Sequence, residues 1–144
     1  MQDSFRRSTL TLPLPTASTF TSGTPDTFVN GLAAANGVAT YVSPRPQRIA
    51  GAQLCLSDTG TGAGATNVNV KVNGTAVNAA NSLSIAGAAA GKSVSTVITA
   101  GSNNYPGGAR LNAGDTVTID IASVPATTTP KQGFVVLDIV EVDI

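Results

Sequence analysis

An all-β, antiparallel β-sandwich of jelly-roll-like type is what this sequence predicts, and three observations carry the prediction. The first is Thr66–Asn78 (TNVNVKVNGTAVN), where Val68, Val70 and Val72 alternate with Asn67, Asn69 and Lys71. Period-two alternation gives one apolar and one wet face, which a helix of period 3.6 cannot do. The second is Asn73-Gly74, a pair that tolerates positive φ at both central positions of a type I′ hairpin turn. The third is spacing: about eight to ten short strand-like runs, with turn signals every ~8–15 residues, mark a sandwich or barrel.

Met1–Arg7 reads as loose. Ser8–Leu14 alternates Leu10, Leu12 and Leu14 with polar residues and Pro13, which removes a ladder donor and places this strand at an edge or against another subunit. Pro15–Asp26 is a Thr/Ser/Pro/Gly connector. Thr27–Asn36 reads as one or two helical turns, weakened by Gly31. Val38–Val42 is a short strand, and Ser43-Pro44-Arg45-Pro46 holds the chain extended. Arg48–Leu56 is a central strand with Ala50, Ala52, Leu54 and Leu56 on one face. Ser82–Ile85, Ser93–Ile98 and Thr116–Ile121 are further strands, the last entered through the turn Leu111–Asp115. Phe134–Val142 is apolar on both sides at its start, as suits a strand in mid-sheet. The expected organisation is one domain: an N-terminal arm with entry strands over 1–47 and a sandwich core over 48–144.

Composition narrows the chemistry. Charged residues are 11% of the chain, against a typical ~25%, and eight basic and eight acidic residues cancel. A cancelled charge does not suit direct nucleic-acid binding, and weak surface charge favours association. Arg6, Arg7, Arg45 and Arg48 lie early, while Asp115, Asp120, Asp138, Glu141 and Asp143 lie late. Either these charges are scattered and solvated, or a basic arm docks on an acidic surface such as that of a neighbouring copy. No apolar run approaches the ~18 residues of a membrane span. Phe5-Arg6-Arg7-Ser8 is followed by a segment broken by Pro13 and Pro15, so the chain reads as soluble and unprocessed.

With no histidine, imidazole-based metal sites and Ser-His-Asp or Cys-His triads are excluded. Cys55 is the single cysteine and reads as a buried structural thiol. Asp58–Gly62 lacks the further acidic ligands of a calcium loop, and no Gly-Lys-Ser/Thr follows Gly60–Gly64 as a phosphate loop requires. Asp115 and Asp120 are an odd number of residues apart on one strand and point to opposite faces, unlike paired glycosidase carboxylates. Asn73-Gly74-Thr75 matches a glycosylation sequon, which the turn requirement explains equally well. Tyr105, in the loop Ala100–Gly108, suits a loop tip or a subunit contact.

Three features together resemble a known family: Ile49–Leu56 followed by Thr59–Gly62, the hairpin Val68–Thr75, and Leu111–Asp115 leading into Val117–Ile121. Their order over roughly residues 48–142 resembles small β-sandwich structural proteins of tailed bacteriophages, particularly head decoration (cement) proteins. The resemblance implies a protein made in the host cytoplasm and added to the outside of an assembled capsid, commonly as a homotrimer. There it bridges major capsid proteins against internal pressure. It implies no catalytic residues, cofactor or metal. The expected contacts with capsid or neighbouring subunits are Arg6, Arg7, Leu10, Leu12, Leu14, Arg45, Arg48 and Tyr105. The leucines would add a strand to a neighbour's sheet edge. A tail, fibre or baseplate module binding a host-surface glycan stays open as the alternative.

Overall fold

The computed structural model describes residues 6–21, 27–98 and 108–141 of the chain. Those residues form twelve strands and no helix. In chain order the first six are β1 (Arg6–Leu14), β2 (Ala17–Thr21), β3 (Thr27–Gly31), β4 (Ala35–Val42), β5 (Gln47–Leu56) and β6 (Ala65–Val72). The remainder are β7 (Thr75–Ala76), β8 (Ser84–Ala86), β9 (Ser93–Val97), β10 (Ala109–Leu111), β11 (Thr116–Ser123) and β12 (Gly133–Glu141). Sheet I runs β1-β12-β5-β10, with β9 also on β5, and sheet II runs β4-β11-β6-β7, with β8 also on β6. Every pairing is antiparallel. The two sheets pack against each other, while β2 and β3 form a separate hairpin.

Alternation decides which side chains meet between the sheets. Along β6, Thr66, Val68, Val70 and Val72 turn inward while Asn67, Asn69 and Lys71 stay partly exposed. Val117, Ile119 and Ile121 of β11 and Val135, Leu137 and Ile139 of β12 complete the same core. At the hairpin tip Asn73 has φ 49° and Gly74 φ 85°, the two left-handed residues of the expected turn.

Three sequence expectations need correction. Thr27–Asn36 is not helical. Its first half pairs with β2, and its end opens β4, which pairs with β11. Gly31 is there for close approach, since a Cβ would run into the Thr129 side chain and crowd Pro130 O. Beside it, Leu32 N–H donates to Pro130 O at 2.8 Å.

On β5, Ile49 is buried and Ala50 only half-buried, the reverse of simple alternation. The ladder to β12 steps from Gly51–Asp138 to Ile49–Ile139, leaving Ala50 over as a β-bulge. One extra residue shifts the inward phase.

The division into an arm over 1–47 and a core from 48 onward fails for the described N-terminal strands. β1 pairs with β12 over all nine of its residues. Leu12, Leu14 and Leu32 belong to the core cluster. The leucine period was right, but its apolar face meets this chain's own interior. β1 does occupy a sheet edge, which accommodates Pro13.

Candidate docking face

β12 lies between β1 and β5, so its inward residues fill the core and its outward ones form the middle of a broad external face. Phe134 is 41% exposed there. Its direct cross-strand neighbours are Pro13 on β1 and Cys55 on β5, and Cys55 in turn faces Ser93 on β9. The next outward row is Thr11, Val136, Gln53 and Ser95, and the one after it is Thr9, Asp138, Gly51 and Val97. Each row crosses the whole sheet in register, so small and apolar side chains are contiguous without being sequential.

Two depressions follow from that pattern. A groove of about 500 Å³ is lined by Pro13, Cys55, Phe134, Lys92 and Gln132, among others. A smaller one of about 260 Å³ lies over Gly51, Gln53, Ser95 and Val136. Gly51 lowers the surface here, and a Cβ on it would sit 3.2 Å from Thr96 O. Val97, 70% exposed, extends the apolar area along β9. Cys55 is therefore not the buried core thiol expected. It sits half-buried on the outer face, where partial burial raises its pKa above the usual thiol value.

The expected contact residues separate by strand face. Arg7 projects outward and pairs with Asp138 at 3.3 Å. Arg6 is in register with Glu141, and Arg45 reaches Glu141 at 3.2 Å. Arg48 lies on the outer side of β5, between the buried Gln47 and Ile49. Basic residues thus do dock on acidic ones, but within a single chain. Leu12 and Leu14 are buried and Leu10 packs on the core, so none of them lines the outer face. Tyr105 and Asp143 lie outside the described residues.

The remaining carboxylates hold structure together. Asp58 accepts from Gly60 N–H at 3.1 Å and Lys131 N–H at 3.2 Å. Asp115 accepts from Asn112 N–H at 2.8 Å and Asn73 Nδ2 at 3.1 Å, and these bonds lower its pKa. Asp120 is buried against Lys71 and Gly37. Burial opposes its ionisation most strongly, yet the Lys71 hydrogen bond, the Gly37 N–H and the Lys71 charge together hold its pKa below the usual value. Among the described residues no three His, Cys, Asp or Glu side chains gather into a cluster that could hold a metal.

Sequence reasoning missed Phe134, Val136 and Arg110 as surface residues. Phe134 and Val136 were legible as a second apolar side of β12, but which side faces out depends on the pairing partners. Comparisons with protein-family models, curated proteins and solved structures found no match.

Proposed function

We propose that this protein is a non-enzymatic virion structural protein, binding the outside of a phage capsid and reinforcing it by bridging major capsid proteins. The observation that carries the reading is the outer face of sheet I. It is wide and in register across four strands, and it carries Phe134, Val136, Pro13 and Val97 where a protein standing alone would place polar residues. Apolar patches of this kind mark surfaces that bind other macromolecules. Phe134, with its large apolar ring, supplies the sort of anchor that carries interface energy.

The strand order supports a jelly roll as the finer architecture. With β7 and β8 counted as one edge, β9 and β10 as another, and the β2–β3 hairpin as an insertion, eight strands remain. The first pairs with the last (β1·β12), the second with the seventh (β4·β11), the third with the sixth, and the fourth with the fifth. That nesting is one long hairpin rolled up so that β12 also meets β5 and β11 also meets β6. Viral capsid proteins use this architecture often, although a fold alone does not assign function.

Binding in many copies suits such a surface, because repeated contacts of modest strength add through avidity. A homotrimer would present three of these faces at once. Co-sedimentation of the purified protein with undecorated phage shells tests the reading. Saturable binding to the shell exterior is expected, and binding to tails or to host-surface glycan alone would overturn it.

A further inference from the structure

β9 is an edge strand of sheet I, and the direction of its backbone groups follows from the pairing register. Facing residues of β5 and β9 alternate between pairs that exchange hydrogen bonds and pairs that do not. Leu56 N–H donates to Lys92 O at 2.8 Å and Ile98 N–H to Ala50 O at 3.1 Å. The same alternation makes Val94 and Thr96 the bonded positions between them. The N–H and C=O groups of Ser93, Ser95 and Val97 therefore point away from β5. Among the described residues no strand pairs with that side of β9. The one hydrogen bond to those groups is a long one, from Thr96 Oγ1 to Val97 O at 3.4 Å. All three residues are exposed, Val97 by 70%.

The other edges of the two packed sheets are guarded against further pairing. β1 carries Arg6, Arg7 and Pro13, and charge and proline are what keep an edge from recruiting another chain. β4 loses its register between Ile119 and Ile121 of β11, and Gly37 there has φ 62°. β7, β8 and β10 are only two or three residues long. β9 (SVSTV) differs from all of them: its five residues pair without a register shift and include no charge and no proline. A strand edge that is regular, neutral and uncovered is a template for another strand.

We propose that β9 is a self-pairing edge, joined antiparallel to β9 of a second copy about a two-fold axis at Ser95. In that register Ser95 meets Ser95 and Ser93 meets Val97, in both directions, as an isologous contact requires. Each is a pair whose outward backbone groups face each other and exchange two hydrogen bonds. No charge meets a like charge, because β9 has none and the flanking Lys92 falls opposite Ile98. A slip of one residue would set these groups against backbone already bonded to β5. A strand of an unrelated protein could satisfy the same backbone groups. Continuity with the outer face of sheet I favours a second copy. The rows Pro13–Phe134–Cys55–Ser93 and Thr11–Val136–Gln53–Ser95 end at β9. Directly opposite residues of an antiparallel pair lie on the same side of the sheet. The two-fold therefore carries both rows onward into a second, identical face on the same side. This pairing stands apart from the capsid reading and leaves the outer face free for whatever it meets.

The test uses the full chain. In sedimentation at rising protein concentration the mass should double. Ser95→Lys, which sets like charges directly opposite each other, should weaken that association at least about tenfold. Cross-linking reads the register. In C55S/S95C the introduced thiols sit on residues about 5.5 Å apart between Cα atoms, within disulfide reach, so mild oxidation should give a covalent dimer. In C55S/V97C they sit four residues apart along the paired strands, ~14 Å at ~3.4 Å per residue, and no such dimer should form. Four outcomes would each overturn the proposal. They are a constant monomer mass with no S95C dimer, association that Ser95→Lys leaves unchanged, equal cross-linking of the two cysteine variants, and open-ended aggregation in place of a dimer.

Discussion

Lys71 Nζ and Gly37 N–H converge on the carboxylate of Asp120, joining β6, β11 and the bend within β4 across the outer side of sheet II. The Asp120 side chain is 6% exposed and that of Lys71 31%, so this pair is largely removed from water. Removing one partner of such a pair strands the other. Lys71→Met should destabilise the fold by about 1–3 kcal/mol, below the fully buried range because Lys71 is partly solvated. Asp120 has its pKa lowered in the folded state. Its contribution is therefore fully present above the unfolded carboxyl value of ~3.9 and is lost as pH falls through the lower folded value. Urea titrations at neutral and acid pH check both points. Asp120→Asn should remove part of the acid-induced loss.

Asn78 does the work of a missing strand residue. Between β7 and β8 the edge of sheet II is interrupted, and there Val70 N–H donates to Asn78 Oδ1 at 2.8 Å while Asn78 Nδ2 lies 3.4 Å from Val68 O. Asn78 is itself 8% exposed. Asn78→Ala leaves two buried backbone groups of β6 without these partners, at about 1–3 kcal/mol each. A fall in stability of about 3 kcal/mol is expected by chemical denaturation, and replacing the exposed Ser95 of β9 with Ala gives a control with far less effect.

Truncation distinguishes a free arm from a built-in strand. Deleting residues 1–14 removes Leu12 and Leu14 from the core and uncovers one whole side of β12. The expected outcome is loss of cooperative unfolding and a tendency to aggregate, because an uncovered apolar strand edge recruits other chains. A soluble, cooperatively folding truncated protein would show that β1 is dispensable.

Cys55 offers a reading of the groove itself. Its thiol is half-buried beside Phe134 and its pKa is raised, so little thiolate exists at neutral pH. Alkylation should be several-fold slower in the native protein than in denaturant. Phe134→Ala, which opens the groove, should narrow that difference.

The sequence was most legible where alternation ran unbroken, as in β6, β11 and the inward face of β12. There a residue's face follows from its position alone. It was misleading at Ala50, where a bulge reverses the phase, and at Thr27–Asn36, where Gly31 serves a close contact with Thr129. The surface was harder to read for a different reason. The Pro13–Phe134–Cys55 row and the Arg7–Val140–Arg48–Arg110 row are products of strand order, and a single sequence does not state which strands are neighbours.

A reconstruction of phage shells decorated with this protein tests the central claim most directly. The outer face of sheet I should lie against the capsid proteins, with Phe134 and Val136 covered and the protein at symmetric positions on the exterior. A decorated shell in which that face points to solvent, or a shell that carries none of the protein, would contradict the account.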